Sequence, residues 1–441
     1  MDQNANSTLD AVSAGGKTQP RWDMGFLYLL CVPICAGLGT IEKLDIAGFH
    51  YTGWMWLFFL AAGGVLLIRE GFRWGGRRLR MPWGLWLLWA AYLWSSLCWC
   101  EPLEWRNVQD AVQITMPLLV GAVASLVVRS EEQLDRLLRV FVLTAILLGL
   151  CSVGAYFGLF AALNMKLLAR PLGLTACLVG CVFMARFPVQ RVVPLLGWGL
   201  CMVFTVMTGS RMATLALLCI PILHPLYRSA WPRIAAILTI AALGAALFYS
   251  PFFQNRFFYE GSGTLADVAE GDFLSFGRFE AWPDIWDEAW RRPYFGAGVG
   301  SAYNFVPIVW EGMHQVHNDY LRVGFELGLV GVALLVCALL WQVWRVWGQV
   351  RRSTGVVRTA FAAALLGFLL LAITSCTDNT LGYNLWYMDP LFVLLGAAYG
   401  VAGRDPAWSV ASAQSGAATP HVETKPPLVA SRIGPPCKET A

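Results

Sequence analysis

Charge is what this chain has least of. Only 14% of its 441 residues are charged, while 57% are hydrophobic. Soluble domains carry about 25% charged residues, so an ordinary soluble enzyme is excluded. Apolar runs long enough to cross a bilayer recur along the chain. The sequence therefore predicts an all-α, polytopic membrane protein held in a lipid bilayer. The net charge of +4 gives no reason to expect nucleic acid, because basic residues in such a chain set orientation. No Asp-x-Asp triplet is present to hold a metal–nucleotide-sugar complex, and no Walker sequence to cradle a nucleotide. The twelve cysteines fall mostly in apolar segments, where a thiol behaves as a small hydrophobe, and none has metal-site spacing. Neither a disulfide framework, a metal nor a cofactor is expected. Acidic residues inside the apolar segments are few, which argues against a proton-driven transporter. Residues 1–23 lack the order of features that marks a signal peptide, so the first apolar segment is expected to be an uncleaved anchor.

What is present is a series of about twelve apolar segments, near 24–40, 51–68, 82–99, 108–128, 137–160, 168–186, 191–207, 212–228, 231–250, 320–347, 356–376 and 383–402. Pro33 and Gly37 interrupt the first. The turn Thr208-Gly209-Ser210-Arg211 divides the run 191–228 in two. Arginines crowd one set of alternate loops, including Arg69, Arg73, Arg129, Arg136, Arg186, Arg228, Arg345 and Arg351. The positive-inside rule makes that set cytoplasmic, together with both termini. The expected order is a cytoplasmic segment 1–23, spans one to nine over 24–250, a loop domain 251–319 on the outer side, spans ten to twelve over 320–402, and a cytoplasmic tail 403–441. The tail is rich in Ala, Ser, Pro and Thr and is expected to be disordered. Within the loop, Ser275–Arg292 reads as a helix in which Phe279, Trp282, Trp286 and Trp290 recur at helical spacing. Such a helix can lie at the membrane interface, pack on the bundle, or do both.

Three polar features fall on the outer side by the arginine count. His314-Gln315-Val316-His317-Asn318-Asp319 stands at the mouth of the tenth span and holds two of the chain's five histidines. Arg211 opens the eighth span, and Arg278 lies in the large loop. Each has a plain reading: a snorkelling anchor for Arg211, a solvated loop arginine for Arg278, a satisfied interface residue for His317. Each also suits chemistry. A guanidinium presents a fork of donors that matches phosphate oxygens, and an imidazole exchanges protons near neutral pH. Two arginines and a histidine on one side of a membrane point to transfer on a phosphate-bearing lipid. Gly296-x-Gly298-x-Gly300 has no βαβ context and reads as a flexible connector or a close backbone approach.

Together these residues resemble a family. Gly296-x-Gly298-x-Gly300, His317-Asn318-x-x-Leu321 and Glu326-x-Gly328-x-x-Gly331 resemble the C-terminal signature of the O-antigen ligase and O-antigen polymerase superfamily. Gly209-Ser210-Arg211 and Gly277-Arg278 resemble its two arginine positions. The resemblance covers about residues 24–402. It implies a metal-independent, inverting glycosyltransferase of the GT-C type, with about twelve transmembrane helices and one large periplasmic loop, in the bacterial inner membrane. The implied donor is a glycan on undecaprenyl diphosphate. The implied acceptor is a sugar hydroxyl of the lipid A–core oligosaccharide in a ligase, or another lipid-linked unit in a polymerase. Carried over by motif, His317 is the base or acceptor-activating residue and Arg211 and Arg278 bind diphosphate. His314, Asn318 and Asp319 are secondary candidates. Ligase is favoured over polymerase, and a small-solute transporter is the rival of another class, though no inverted repeat is visible.

Overall fold

The computed structural model describes residues 23–403, apart from 39–40, 43–44, 47–48, 74–80, 160–165, 168, 188–189, 228, 272, 275–277 and 312–314. The expectations for the N-terminal segment, for the tail, for Gly277 and for His314 lie outside the described residues.

A helix lies over every one of the apolar segments. In chain order they are α1 (Met24–Leu38), α2 (Tyr51–Arg73), α3 (Gly84–Ser95), α4 (Trp105–Val127), α5 (Glu131–Tyr156), α6 (Ala169–Ala185), α7 (Val192–Thr208), α8 (Arg211–Leu223) and α9 (Trp231–Phe248). The loop that follows holds four short helices, α10 (Pro251–Phe257), α11 (Leu265–Glu270), α12 (Arg278–Ala289) and α13 (Ala302–Val309). The chain then returns through α14 (Asp319–Arg352), α15 (Gly355–Thr374), a π turn at Asn384–Met388 and α16 (Asp389–Ala402). Among the described residues, six helical stretches are long and apolar enough to cross a membrane by length and composition: those of α2, α4, α9, α14, α15 and the π turn with α16. α1, α7, α8 and Leu172–Ala185 are apolar but shorter. This is a multi-pass helical membrane protein. Its described strands are two-residue pairs, such as Ile41–Glu42 against Lys166–Leu167.

The division of the run 191–228 is built into its backbone. Gly209 ends α7 in the left-handed conformation, φ 69°, and Ser210 is the extended residue before α8. α15 and α16 are buried along most of their length. A Cβ on Gly396 would collide with the carbonyl of Gly121, so two glycines let α16 and α4 touch backbone to backbone, as small residues do between membrane helices. α9 buries none of its residues in the bundle.

The bend in α14 explains the glycine signature. Gly328 leaves helical geometry, with φ 66° and ψ −170°. The carbonyls freed by that break are taken up by the glycine run: Ala297 N–H donates to Phe325 O at 2.9 Å and Gly298 N–H to Glu326 O at 2.7 Å. A Cβ on Gly296 would meet the backbone of Glu326, and one on Gly328 the backbone of Tyr294. The run is thus a close backbone approach that locks the large loop to the first turns of α14.

Candidate active site at the start of helix α14

His317 precedes α14 and is the one described non-glycine residue with positive φ, 53°. That conformation costs an L-residue about 1–2 kcal/mol and persists only where neighbours impose it. Asn379, from the connection between α15 and the π turn, imposes it. Its Oδ1 accepts from the His317 backbone N–H at 3.0 Å, and its Nδ2 lies 3.0 Å from His317 Nδ1 and 2.7 Å from Gln315 Oε1. The Asp378 carboxylate follows, with Oδ1 3.7 Å from His317 Nδ1. That oxygen also accepts from the Asn379 N–H at 2.9 Å.

Arg278 reaches the same corner. It opens α12, and its Nη1 donates to Thr377 O at 2.9 Å, beside Asp378. Arg211 opens α8 and donates from Nη2 to Leu274 O at 2.8 Å, with its guanidinium 4.9 Å from the centre of the Phe257 ring. Arg278 and His317 therefore meet on the 377–379 corner. Arg211 holds Leu274, which precedes Arg278 in the same loop.

The two described secondary candidates have structural duties. Asn318 caps α14, its Oδ1 accepting from Leu321 N–H at 3.0 Å. Asp319 is fully buried. Its Oδ2 accepts from Ser375 Oγ at 2.8 Å and from Leu381 N–H at 2.9 Å, and its own N–H donates to Ser375 O at 2.8 Å. Asp319 thus belts the 375–381 connection, and with it Asp378 and Asn379, to the first turn of α14.

Two apolar grooves open beside these polar groups. One, of about 610 Å³, is lined by Trp282, Trp286, Trp290, Asn318, Tyr320 and Leu321 among others. The second, of about 280 Å³, has Arg211 in its wall with Leu218, Phe248, Phe253 and Phe257. The packing reading of the Trp-rich helix is the one seen. α12 buries Ala281 and Ile285 against Val316 and Phe325, and Trp282 Nε1 donates to Val316 O at 2.7 Å. Trp286 and Trp290 remain about half exposed, at 53% and 51%.

Sequence reasoning missed an ion cluster close by. Arg322 Nη2 pairs with Asp110 Oδ2 at 2.8 Å, and its Nε with Glu326 Oε1 at 3.0 Å. The i, i+4 spacing of Arg322 and Glu326 was a readable signal, but Asp110 comes from a different helix.

Residues 195–336 match the family model described as O-Antigen ligase. That segment carries Arg211, Arg278 and His317 together with Gly328 and Gly331. Over that segment the chain is similar to the O-antigen ligase superfamily. That likeness supports glycosyltransferase-like ligase or polymerase chemistry. The matched segment stops short of Asp378 and Asn379, so the corner that holds His317 is read from the geometry alone. No curated protein matches the chain.

Proposed function

We propose that the protein is an O-antigen ligase, which transfers a glycan from undecaprenyl diphosphate to a sugar hydroxyl of lipid A–core oligosaccharide. It works at the periplasmic face of the inner membrane, with residues 251–319 on that side and both termini in the cytoplasm. The observation that carries the reading is the meeting of Arg278 and His317 at the 377–379 corner, with Asn318 and Cys376 in the wall of one apolar groove and Arg211 in the wall of another. A reaction between two lipids needs apolar seats beside a polar centre. In this reading the prenyl chain takes the groove that Arg211 opens, because the diphosphate is bonded directly to it.

Arg211 and Arg278 neutralise the diphosphate as it leaves, each offering a two-pronged set of donors. The acceptor oxygen bonds to the anomeric carbon while the bond from that carbon to the diphosphate oxygen breaks. The hydroxyl proton passes to Nε2 of His317. The reacting tautomer has exchanged the resting form's Nε2 proton for one at Nδ1 through solvent, and Asp378 accepts from that Nδ1–H once the 3.7 Å separation closes in the substrate complex, as catalytic hydrogen bonds commonly do. Direct displacement inverts the anomeric centre. The arginines stand where a metal ion would otherwise stabilise the leaving group.

Deletion in the native host, followed by analysis of its lipopolysaccharide, tests the assignment. A ligase mutant keeps lipid-linked polymer and has none on the core. Cores capped with a single unit would make the protein a polymerase instead.

A further inference from the structure

A third cavity, of about 90 Å³, differs in kind from the two grooves. Gln113, Tyr303, Gln315, Asn379 and Tyr383 line it together with the ion cluster. At its rim lie Arg106 and Gln315, both exposed, the Arg106 guanidinium 3.0 Å from the centre of the Tyr303 ring. Its floor is Arg322 with Asp110 and Glu326, whose side chains are 15%, 16% and 3% exposed. The wall offers carboxylate acceptors, guanidinium donors, amides that do both, and two tyrosines. The space exceeds what one water needs several-fold.

Stability does not account for the cluster. Replacing a buried ion pair by packed hydrophobic side chains is often neutral or stabilising, and ionisable groups within membrane helices are functional by default. The cavity is also joined to the reacting centre through one residue. Asn379 lines it, and the Nδ2 that bonds Gln315 Oε1 also faces His317 Nδ1.

We propose that this cavity is a sugar subsite, binding one pyranose ring of a glycan substrate, with Asp110 and Gln113 as partners for its hydroxyls. The proposal rests on the transferase reading above. A neutral, hydroxyl-rich ring matches a wall that mixes donors and acceptors of both charges with two tyrosines. The ring is either the one bonded to the donor diphosphate or the one carrying the acceptor hydroxyl. Both present the same chemistry.

The test uses the full chain in lipid nanodiscs and two folded variants, Gln113→Leu and Asp110→Asn, the second of which keeps an oxygen for Arg322. Loss of a neutral hydrogen bond should raise one KM by about 3- to 10-fold, and loss of a charged one by about 10- to 100-fold, with kcat nearly unchanged. A shift in the donor KM assigns the ring to the donor, and a shift in the acceptor KM to the acceptor. Folded variants that change neither KM, or that lower only kcat, overturn the subsite. A second readout stands apart from transfer: saturation-transfer NMR with soluble core oligosaccharide and soluble O-unit oligosaccharide released from the host's lipopolysaccharide. Signal from one of them on wild-type protein, lost in Gln113→Trp, supports the subsite even if no transfer is seen, in which case the ligase reading fails alone. Absence of signal on wild type, or full signal in Gln113→Trp, overturns it.

Discussion

Asn379 grips His317 at two points, accepting from its backbone N–H at 3.0 Å and presenting Nδ2 to Nδ1 at 3.0 Å. A backbone N–H can only donate, so the amide's orientation is fixed and Nδ1 is the acceptor. The resting imidazole therefore carries its proton on Nε2. To take a proton at Nε2 it must first hold one at Nδ1, and Asp378 is the group placed to receive that hydrogen bond. Asp378→Asn keeps the shape and removes the charge. Turnover of the folded variant should fall by about 10² or more, with donor KM little changed. Wild-type turnover in Asp378→Asn would remove the carboxylate from the proton path.

The arginines should separate by geometry. Arg211→Lys keeps the charge but loses the fork, so it should already impair transfer. Arg278→Ala should raise donor KM more than it lowers kcat, because its loop position makes it a clamp on the diphosphate. Kinetics on folded, membrane-inserted protein check both. If both variants match wild type, the arginines are anchors.

Asp319→Ala should act on stability first. It leaves Ser375 Oγ and the Leu381 N–H without their buried acceptor, at a cost of about 1–3 kcal/mol. Thermal unfolding in detergent measures this. An unchanged midpoint together with lost activity would instead give Asp319 a direct part in the reaction.

Transfer should survive a chelator, since two arginines are available for the leaving diphosphate and the chain has no Asp-x-Asp. Purified protein with EDTA, lipid-linked glycan and acceptor is the assay. Complete loss that magnesium restores would give the neutralising role to a metal.

Much of this was legible in the residues. Apolar length marked the helices of the twelve apolar segments but not α10, α11 and α13 of the loop, and Gly209 marked the break between α7 and α8, because a left-handed residue next to a new helix start is a local event. His317 could be singled out as a costly polar group at a helix mouth. The glycine run could be read only as a connector or a close approach, since its partners, the carbonyls freed at Gly328, lie in another element. Asp378, Asn379 and Asp110 were not legible for the same reason. Each acts through a partner more than sixty residues away, as in Asp110 with Arg322 or Asn379 with His317, and nothing local in the sequence encodes such a pairing.

The most direct measurement is transfer by purified His317→Ala beside wild type, each with its folded fraction determined in the same sample. Wild-type protein should move lipid-linked glycan onto lipid A–core acceptor, and folded His317→Ala should do so about 10² to 10⁴ times more slowly while still binding donor. Full activity in well-folded His317→Ala would contradict the account and return His317 to the role of an interface residue.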